Sequence, residues 1–279
     1  MKKLLLTIVA ISAFNSLFGQ EAADKKVQAG IILCSGLNFT NPTTKLLSRN
    51  GVGTDLSIGM NLNFNFTPTI GLCTGVEFDF QTFKYKSNTD SLFYFYNDSE
   101  ILTKSSYLDE AGIFTVPQGN LYLLKERKEK PIYLTIPTML LFRTKYIGYF
   151  RYFGKFGVRN SFLLNSTIFD EGNSYSADAT TSAPLDNSNM KTSKRDLALY
   201  KGAVGMSAGA EWNFSGTTCL VAELGYYYGF VNVSRGKSLT GDDEKNMSTF
   251  AGFNGTSPTE FNAMPAKQNQ LMLKISILF

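Results

Sequence analysis

A period-two alternation of apolar and polar side chains runs through most of the chain and restricts the folds it can adopt. From Leu56 to Phe66 every even position is apolar, while the odd positions hold only Ser, Gly or Asn. Successive side chains of a β-strand point to opposite faces, so this alternation predicts strands with one apolar face. The strands predicted in this way are 27–39, 54–66, 71–81, 132–143, 149–165, 198–214, 218–231 and 270–279.

The connections between these eight strands alternate in length. Short turns follow the second, fourth and sixth strands, at 67–69, 144–148 and 215–217, and long connections follow the others, at 40–51, 84–130, 166–197 and 232–267. Outer-membrane barrels have short periplasmic turns and long extracellular loops, and each strand needs about 9–11 residues to cross the bilayer. We therefore predict an all-β fold, an eight-stranded antiparallel up-and-down transmembrane β-barrel. The long connections are rich in Asn, Ser, Thr, Gly and Asp, and we expect them to be solvated.

Charged residues of the predicted strands fall on the face opposite to the apolar one. A charge facing the middle of the bilayer from a barrel costs about 2–4 kcal/mol, so this face is expected to point into the lumen. An eight-stranded barrel is just wide enough for side chains to fill it. We expect a packed network of ion pairs rather than an open pore. Its predicted members are Glu77, Asp79, Arg151, Lys155, Arg159, Glu211, Glu223 and Lys274. Asp55, Arg143 and Lys201 lie on the same face.

The chain contains no histidine among its 279 residues. This absence excludes Ser-His-Asp and Cys-His nucleophile systems and every His-ligated metal site. A carboxylate-only mechanism stays open, because Glu77 and Asp79 share one strand face and could act as paired acids. A lumenal ion pair explains both residues equally well, so we predict a protein that is not an enzyme, with no cofactor and no metal. A net charge of +4 predicts no nucleic-acid binding.

The first residues resemble a secretory signal peptide. Lys2 and Lys3 precede an apolar run, and small residues follow near Gly19. We predict a signal peptide at 1–19 and one outer-membrane β-barrel domain at 20–279. The protein is thus expected to be exported to the bacterial outer membrane, with membrane lipid as its surroundings.

Three short elements resemble the PorT-like outer-membrane β-barrel family. They are the opening run Gly30–Phe39, the strand Tyr133–Pro137, and the aromatic and glycine residues at Tyr149, Tyr152, Gly154 and Gly157. The last strand alternates and ends on Phe279, which resembles the C-terminal signal read by the barrel-assembly machinery. The resemblance implies an eight-stranded outer-membrane barrel, and the namesake of the family belongs to the type IX secretion apparatus. Fold alone does not fix such a role.

The third long connection contains the aromatic run Phe93, Tyr94, Phe95 and Tyr96. Either the flanking strands extend above the membrane as a hairpin, or the aromatic side chains form an exposed surface that docks another protein. A filled lumen with large outer loops leaves the surfaces as the place for function. We expect an accessory or scaffold subunit of an envelope complex, of secretion or outer-membrane protein assembly type, with other envelope proteins as partners. The alternatives are a small-solute or ion channel and, third, a histidine-free outer-membrane enzyme.

Overall fold

The computed structural model describes residues 25–97, 100–102, 119–175, 182–191, 197–215, 218–234, 251–253, 258–261 and 264–279. The predicted signal peptide lies outside these residues. The strands are β1 (Val27–Pro42), β2 (Leu47–Arg49), β3 (Gly53–Asn65), β4 (Ile70–Gln81), β5 (Phe83–Ser87), β6 (Phe93–Asn97), β7 (Glu100–Ile101), β8 (Asn120–Arg143), β9 (Phe150–Tyr175), β10 (Ser182–Lys191), β11 (Tyr200–Ser215), β12 (Thr218–Gly229), β13 (Ala251–Phe253), β14 (Pro258–Phe261) and β15 (Ala266–Leu278). The described residues include no helix long and apolar enough to cross a membrane.

Eight of these strands close into an antiparallel barrel. The order around the ring is β1, β3, β4, β8, β9, β11, β12 and β15, and β15 pairs with β1 to complete it. This confirms the predicted fold class, and each predicted strand lies on one of the eight. Short turns join β3 to β4 and β8 to β9 at one end of the barrel. In the second of these turns Gly148 has a φ of 63°, a left-handed conformation that favours glycine.

The outer wall of the barrel carries the apolar parity of each strand. Leu33, Ile58 and Phe78 lie near the middle of their strands and expose 54%, 52% and 44% of their surface. An exposed apolar belt of this extent needs a non-aqueous environment, and closing the ring leaves no unpaired strand edge within it. The belt is the surface that contacts the hydrocarbon of the bilayer.

Strands β8 and β9 continue beyond this belt. They have 24 and 26 residues, more than twice the roughly 9–11 that a crossing requires. Above the belt β5 and β6 pair with β8, and β10 pairs with β9. Further pairs join β6 to β7 and β7 to β10, so β8, β9, β10, β7 and β6 form a second, smaller ring above the barrel. We call the part of the chain above the belt the extension.

Bulges interrupt both β8 and β9, and the one on β9 marks the passage from the barrel into the extension. On β9 the register shifts at Leu164 and Asn165, both of which point outward. Below the bulge the even positions of β9 face out, and above it the odd positions do. On β8 a second shift lies between Leu124 and Glu126. Each extra residue exchanges the two faces of its strand.

The expectation that the long connections are solvated loops is therefore wrong in part. Residues 120–131 and 166–175 belong to β8 and β9, and β5 and β6 lie within the third connection. The bulges interrupt the alternation. Polar residues that the sequence pattern assigns to loops therefore lie on the outer face of paired strands.

Candidate functional site

The centre of the lumen is organised around Arg159 on β9. Its side chain is 1% exposed, and Nη1 donates to Glu77 Oε2 at 2.6 Å while Nη2 donates to Asp79 Oδ2 at 3.0 Å. Lys274 Nζ, from β15, reaches the other oxygen of Glu77 at 3.2 Å. The aromatic ring of Tyr227 faces both cations, 5.1 Å from Arg159 Cζ and 5.4 Å from Lys274 Nζ. Strands β4, β9 and β15, no two of which are neighbours in the ring, are thus joined inside the lumen.

A second ion pair lies nearer the short-turn end. Lys155 Nζ on β9 donates to Glu223 Oε2 on β12 at 2.5 Å, and both side chains are buried. Strand β11 lies between β9 and β12, so this pair reaches past an intervening strand. Charged hydrogen bonds of this kind are stronger than neutral ones, and they compensate for moving the two charges out of water.

At the short-turn end Arg143 and Arg151 share one carboxylate. Arg143 Nε donates to Glu211 Oε1 at 2.9 Å, and Arg151 Nε donates to Glu211 Oε2 at 2.9 Å, with a further contact from Arg151 Nη2. Arg143 also donates to Asn65 Oδ1 at 2.5 Å and Gln28 Oε1 at 3.1 Å. The three charged groups are buried.

Toward the extension, charged groups are held by amides instead of opposite charges. Lys201 Nζ donates to the Oε1 atoms of Gln81 and Gln268, both at 2.8 Å. Gln81 Nε2 in turn donates to Asp55 Oδ2 at 3.1 Å, and Gln270 donates to the same oxygen at 2.5 Å. Among the described residues neither Lys201 nor Asp55 forms a direct ion pair. The sequence placed both residues on the inner face, but nothing in it distinguished them from the paired charges.

An aromatic and aliphatic core lies above these groups, inside the extension. Tyr94, Tyr122 and Tyr133 are each 0% exposed in it. The core comprises Leu47, Phe83, Tyr85, Leu92, Tyr94, Tyr96, Ile101, Tyr122, Leu124, Tyr133, Ile168, Leu197, Val233, Met264 and Ala266. It covers the outer end of the lumen with packed side chains, and we call it the cap.

The structure corrects the expectation of an exposed aromatic docking surface. Tyr94, Phe95 and Tyr96 are 0%, 3% and 7% exposed, and Phe93 is half-buried. The ring of Tyr94 lies 5.1 Å from that of Tyr122, between centroids. The reason is that β6 pairs with β8 along Phe93–Tyr96, which brings alternate side chains of the run into the cap. The hairpin interpretation describes this segment.

One ion pair stabilises the cap and was missed in the sequence. Arg127 of β8 donates to both oxygens of Asp170 of β9, at 2.8 and 2.7 Å, and Tyr94 Oη donates to Asp170 Oδ2 at 2.8 Å. Burial disfavours the charge of the guanidinium, but the Asp170 carboxylate outweighs this and raises the pKa of Arg127. Asp170 lies beyond the bulge that exchanges the faces of β9, and Arg127 lies between the two register shifts.

The three cysteines and Phe279 take no part in these ion pairs. Cys34, Cys73 and Cys219 are buried free thiols. The backbone N–H of Phe279 donates to Ala29 O at 2.8 Å, which ties the chain end to β1, and its ring is 40% exposed. Its role as an assembly signal stays a prediction. The described residues contain no group of three or more Cys, Asp or Glu placed to hold a metal ion.

Two cavities open at opposite ends of the molecule. One of 190 Å³ lies at the short-turn end and is lined by Lys25, Lys26, Asn65, Phe66, Thr67, Pro68, Arg143 and Arg151. The other, of 430 Å³, lies on the extension and is lined by Asn50, Gly51, Lys84, Glu126, Arg127, Lys128, Phe169 and Glu171. The second contains opposite charges side by side, whereas no acidic side chain is among the described residues that line the first.

All eight side chains predicted for the lumenal network point inward and make ion pairs. Glu77 and Asp79 do not form an acid pair, because Arg159 binds both carboxylates. The lumen thus holds no free carboxylate pair at Glu77 and Asp79, and the cap lies above it.

Solved structures with a similar arrangement are outer-membrane proteins of low sequence identity. The attachment invasion locus protein Ail of Yersinia pestis is 11% identical, with a TM-score of 0.34, covering 91% of this chain and 99% of its own. The outer membrane protease OmpT from Escherichia coli is 11% identical, with a TM-score of 0.36 and coverage of 93% and 98%. The outer membrane protein OprG from Pseudomonas aeruginosa is 10% identical, with a TM-score of 0.33 and coverage of 90% and 94%. No curated protein matches the chain.

A family model decides the assignment. The model described as the outer membrane protein beta-barrel domain matches residues 18–235, which include the barrel strands from β1 to β12. The match agrees with the apolar belt and the closed ring of eight strands, and it places the protein in the bacterial outer membrane. The chain belongs to the outer membrane protein β-barrel domain family.

Proposed function

We propose that this protein is a non-enzymatic accessory or scaffold subunit of an envelope complex that acts in protein secretion or outer-membrane protein assembly. The observation that carries the proposal is the closed lumen. Ion pairs fill the barrel, from the pair made by Arg143 at the short-turn end to the pair made by Asp79 further up the lumen. The cap covers the outer end of the barrel. A barrel without a passage offers its surfaces for function, and the extension presents one of them outside the bilayer.

The lumen argues against a channel on energetic grounds. Opening a path past Arg159 requires separating it from Glu77 and Asp79, and breaking a buried ion pair costs about 3–5 kcal/mol. The cap would also have to part, which exposes Tyr94, Tyr122 and Leu124 to water. Conduction would therefore require a large rearrangement at both levels.

The lumen gives little support to an enzyme. Catalytic acids and bases need a titratable group within reach of substrate. The chain lacks histidine, and the adjacent carboxylates Glu77 and Asp79 are both bound by Arg159. The two carboxylates that could act as paired acids thus have a structural partner.

Electrical recording from the purified protein in planar bilayers tests the closed lumen. We expect a baseline without conductance steps, and a porin inserted in the same bilayer serves as the positive control. Stable and reproducible steps from the protein alone would favour the channel and count against the scaffold proposal.

Site-specific photo-crosslinking in native membranes tests the scaffold. A crosslinking amino acid at Lys128 or Glu171, which both point outward from the extension, is expected to capture one envelope protein reproducibly. The matched control is Ile58, which faces lipid from the outer wall of the barrel and should give no protein adduct. Absence of adducts at every outward position of β5, β8 and β9 would count against a partner bound to these strands of the extension.

A further inference from the structure

Positive charge is in excess at the periplasmic end of the lumen. Arg143 is 7% exposed and Arg151 is 3% exposed, and both bind the single buried carboxylate of Glu211. Among the described residues no second carboxylate contacts either guanidinium. One carboxylate neutralises only one of two cations, and a buried charge without a counter-charge is strongly unfavourable.

The cavity of 190 Å³ lies directly against these two guanidinium groups. Lys25 and Lys26 add two further cations to its lining, and the other described lining residues, apart from the two arginines, are uncharged. The outer cavity on the extension differs, because Glu126 and Glu171 lie beside its lysines. Of the two cavities described above, the periplasmic one therefore combines a concave shape with charges of one sign, and the other does not.

The hydrogen bonds of Arg151 leave one donor nitrogen available. Its Nε and Nη2 atoms both donate to Glu211 Oε2, whereas its Nη1 donates to no described residue. The guanidinium plane is held in place by the Tyr146 ring, 4.7 Å from Cζ. Asn65 fixes the adjacent wall, since its Nδ2 donates to Lys25 O at 2.8 Å and its Oδ1 accepts from Arg143. The cations are thus positioned before any ligand arrives.

We propose that this cavity is an oxyanion-binding site open to the periplasm, which takes a phosphate or carboxylate group. Guanidinium groups match the geometry of these anions, and charge-assisted hydrogen bonds are shorter and stronger than neutral ones. The volume admits a group of that size with a few water molecules, each of which occupies about 30 Å³ in the liquid. The bound anion supplies the counter-charge that Glu211 alone does not provide. This site is independent of the scaffold role, and either can fail without the other.

Calorimetric titration with inorganic phosphate tests the site. The full mature chain is inserted into nanodiscs of phosphatidylcholine, and the ionic strength is held constant with sodium chloride. We expect saturable binding of one phosphate per chain. A second set of nanodiscs contains phosphatidylglycerol: undiminished phosphate binding there assigns a soluble ligand, whereas competition assigns a lipid headgroup as the source of the same chemistry.

Three variants separate anion binding from structural effects. Arg151→Gln leaves Arg143 and Glu211 as a balanced pair, and we expect phosphate affinity to fall about tenfold or more, as loss of a charged hydrogen bond implies. Glu211→Gln removes the competing carboxylate, and the affinity should rise. Lys145→Gln alters an exposed lysine in the turn between β8 and β9. This lysine does not line the cavity, so the variant should bind phosphate as the unmodified protein does.

The opposite directions expected for Arg151→Gln and Glu211→Gln keep the test decisive. A variant that merely loosened the barrel would lower the affinity in both cases. Absence of saturable phosphate binding by the unmodified protein, or unchanged affinity in Arg151→Gln, would overturn the proposal. Refolding yield and heat-modifiable gel mobility establish that each variant forms the barrel.

Discussion

The barrel and the extension have opposite polarity, although β8 and β9 run through both. In the barrel the outward residues are apolar, as at Phe142 and Phe156, and the inward ones are charged, as at Lys155 and Arg159. In the extension the outward residues are charged, as at Lys128, and the inward ones form the cap. The surrounding medium accounts for the reversal. A charge on the outer wall is unfavourable in lipid, whereas in water the burial of apolar side chains is favourable. The same pair of strands is therefore exposed to lipid in one part and to water in the other.

Removing the central charge of the barrel should have the largest effect. Arg159→Leu leaves Glu77 and Asp79 buried, with Lys274 as the one described cation still bound to either, and we expect a loss of about 3–5 kcal/mol in the free energy of unfolding. Urea titration of folding in lipid vesicles measures it. Arg49→Leu changes an exposed arginine and is the control. Equal shifts in both variants would mean that the lumenal pairs contribute little.

Removing apolar volume from the cap should affect the extension and spare the barrel. Leu124 is 1% exposed, and Leu124→Ala is expected to cost about 2–5 kcal/mol because it leaves a cavity. Limited proteolysis should cut the extension faster, while gel mobility still reports a folded barrel. The matched change Leu33→Ala lies on the lipid face, where no packed core surrounds it, and should be much milder. Simultaneous loss of barrel and extension would indicate a single cooperative unit.

A charge on the outer wall should distinguish the two media. Ile58→Lys places an ammonium group in the belt, and we predict a cost of about 2–4 kcal/mol in vesicle folding experiments. Asn41→Lys introduces the same charge at an exposed position near the outer end of β1 and should change stability little. If both substitutions were tolerated equally, the belt would not be the surface that contacts hydrocarbon.

The smallest effect is expected from one hydroxyl group. Thr135 Oγ1 donates to Asp79 Oδ2 at 2.6 Å, and Thr135→Val should cost about 1–2 kcal/mol. Thr138, three residues later on β8, faces outward, and Thr138→Val should be neutral or slightly stabilising in lipid. The difference between these two variants, measured by the same urea titration, reports the polarity of the two faces of one strand. A greater loss in Thr138→Val would contradict the assignment of inside and outside.

The barrel was predictable because each of its strands keeps one parity between lipid and lumen. For example, every even residue from Leu56 to Phe66 lies on the predicted outer face, and the structure has β3 there. The extension was not predictable, since the bulge at Leu164 and Asn165 exchanges the faces of β9 within a single strand. Local alternation cannot show that Ile168 and Asp170 point inward on a strand whose earlier even residues point outward.

The lumenal charges were predictable as a set, but their partners were not. Parity assigns Lys155 and Glu223 to the interior, while their contact depends on the two side chains of β9 and β12 meeting past the intervening strand β11. The same limitation applies to Lys201, whose amine is held by Gln81 and Gln268 rather than by a carboxylate. Which lumenal side chains contact each other depends on how all eight strands are arranged in the closed ring, and this cannot be derived from the sequence of any single strand.

The continuous pairing of β8 and β9 through both bulges has a mechanical consequence. The two strands stay paired from Leu121 and Tyr175 at the top to Arg143 and Phe153 near the periplasm, with register shifts only at the two bulges. At roughly 3.3 Å per residue, the 24 residues of β8 form a beam about 80 Å long. A load applied to the extension from outside the cell is carried by this hydrogen-bonded pair directly to the turn beside Arg143 and Arg151, with no flexible joint at the membrane surface.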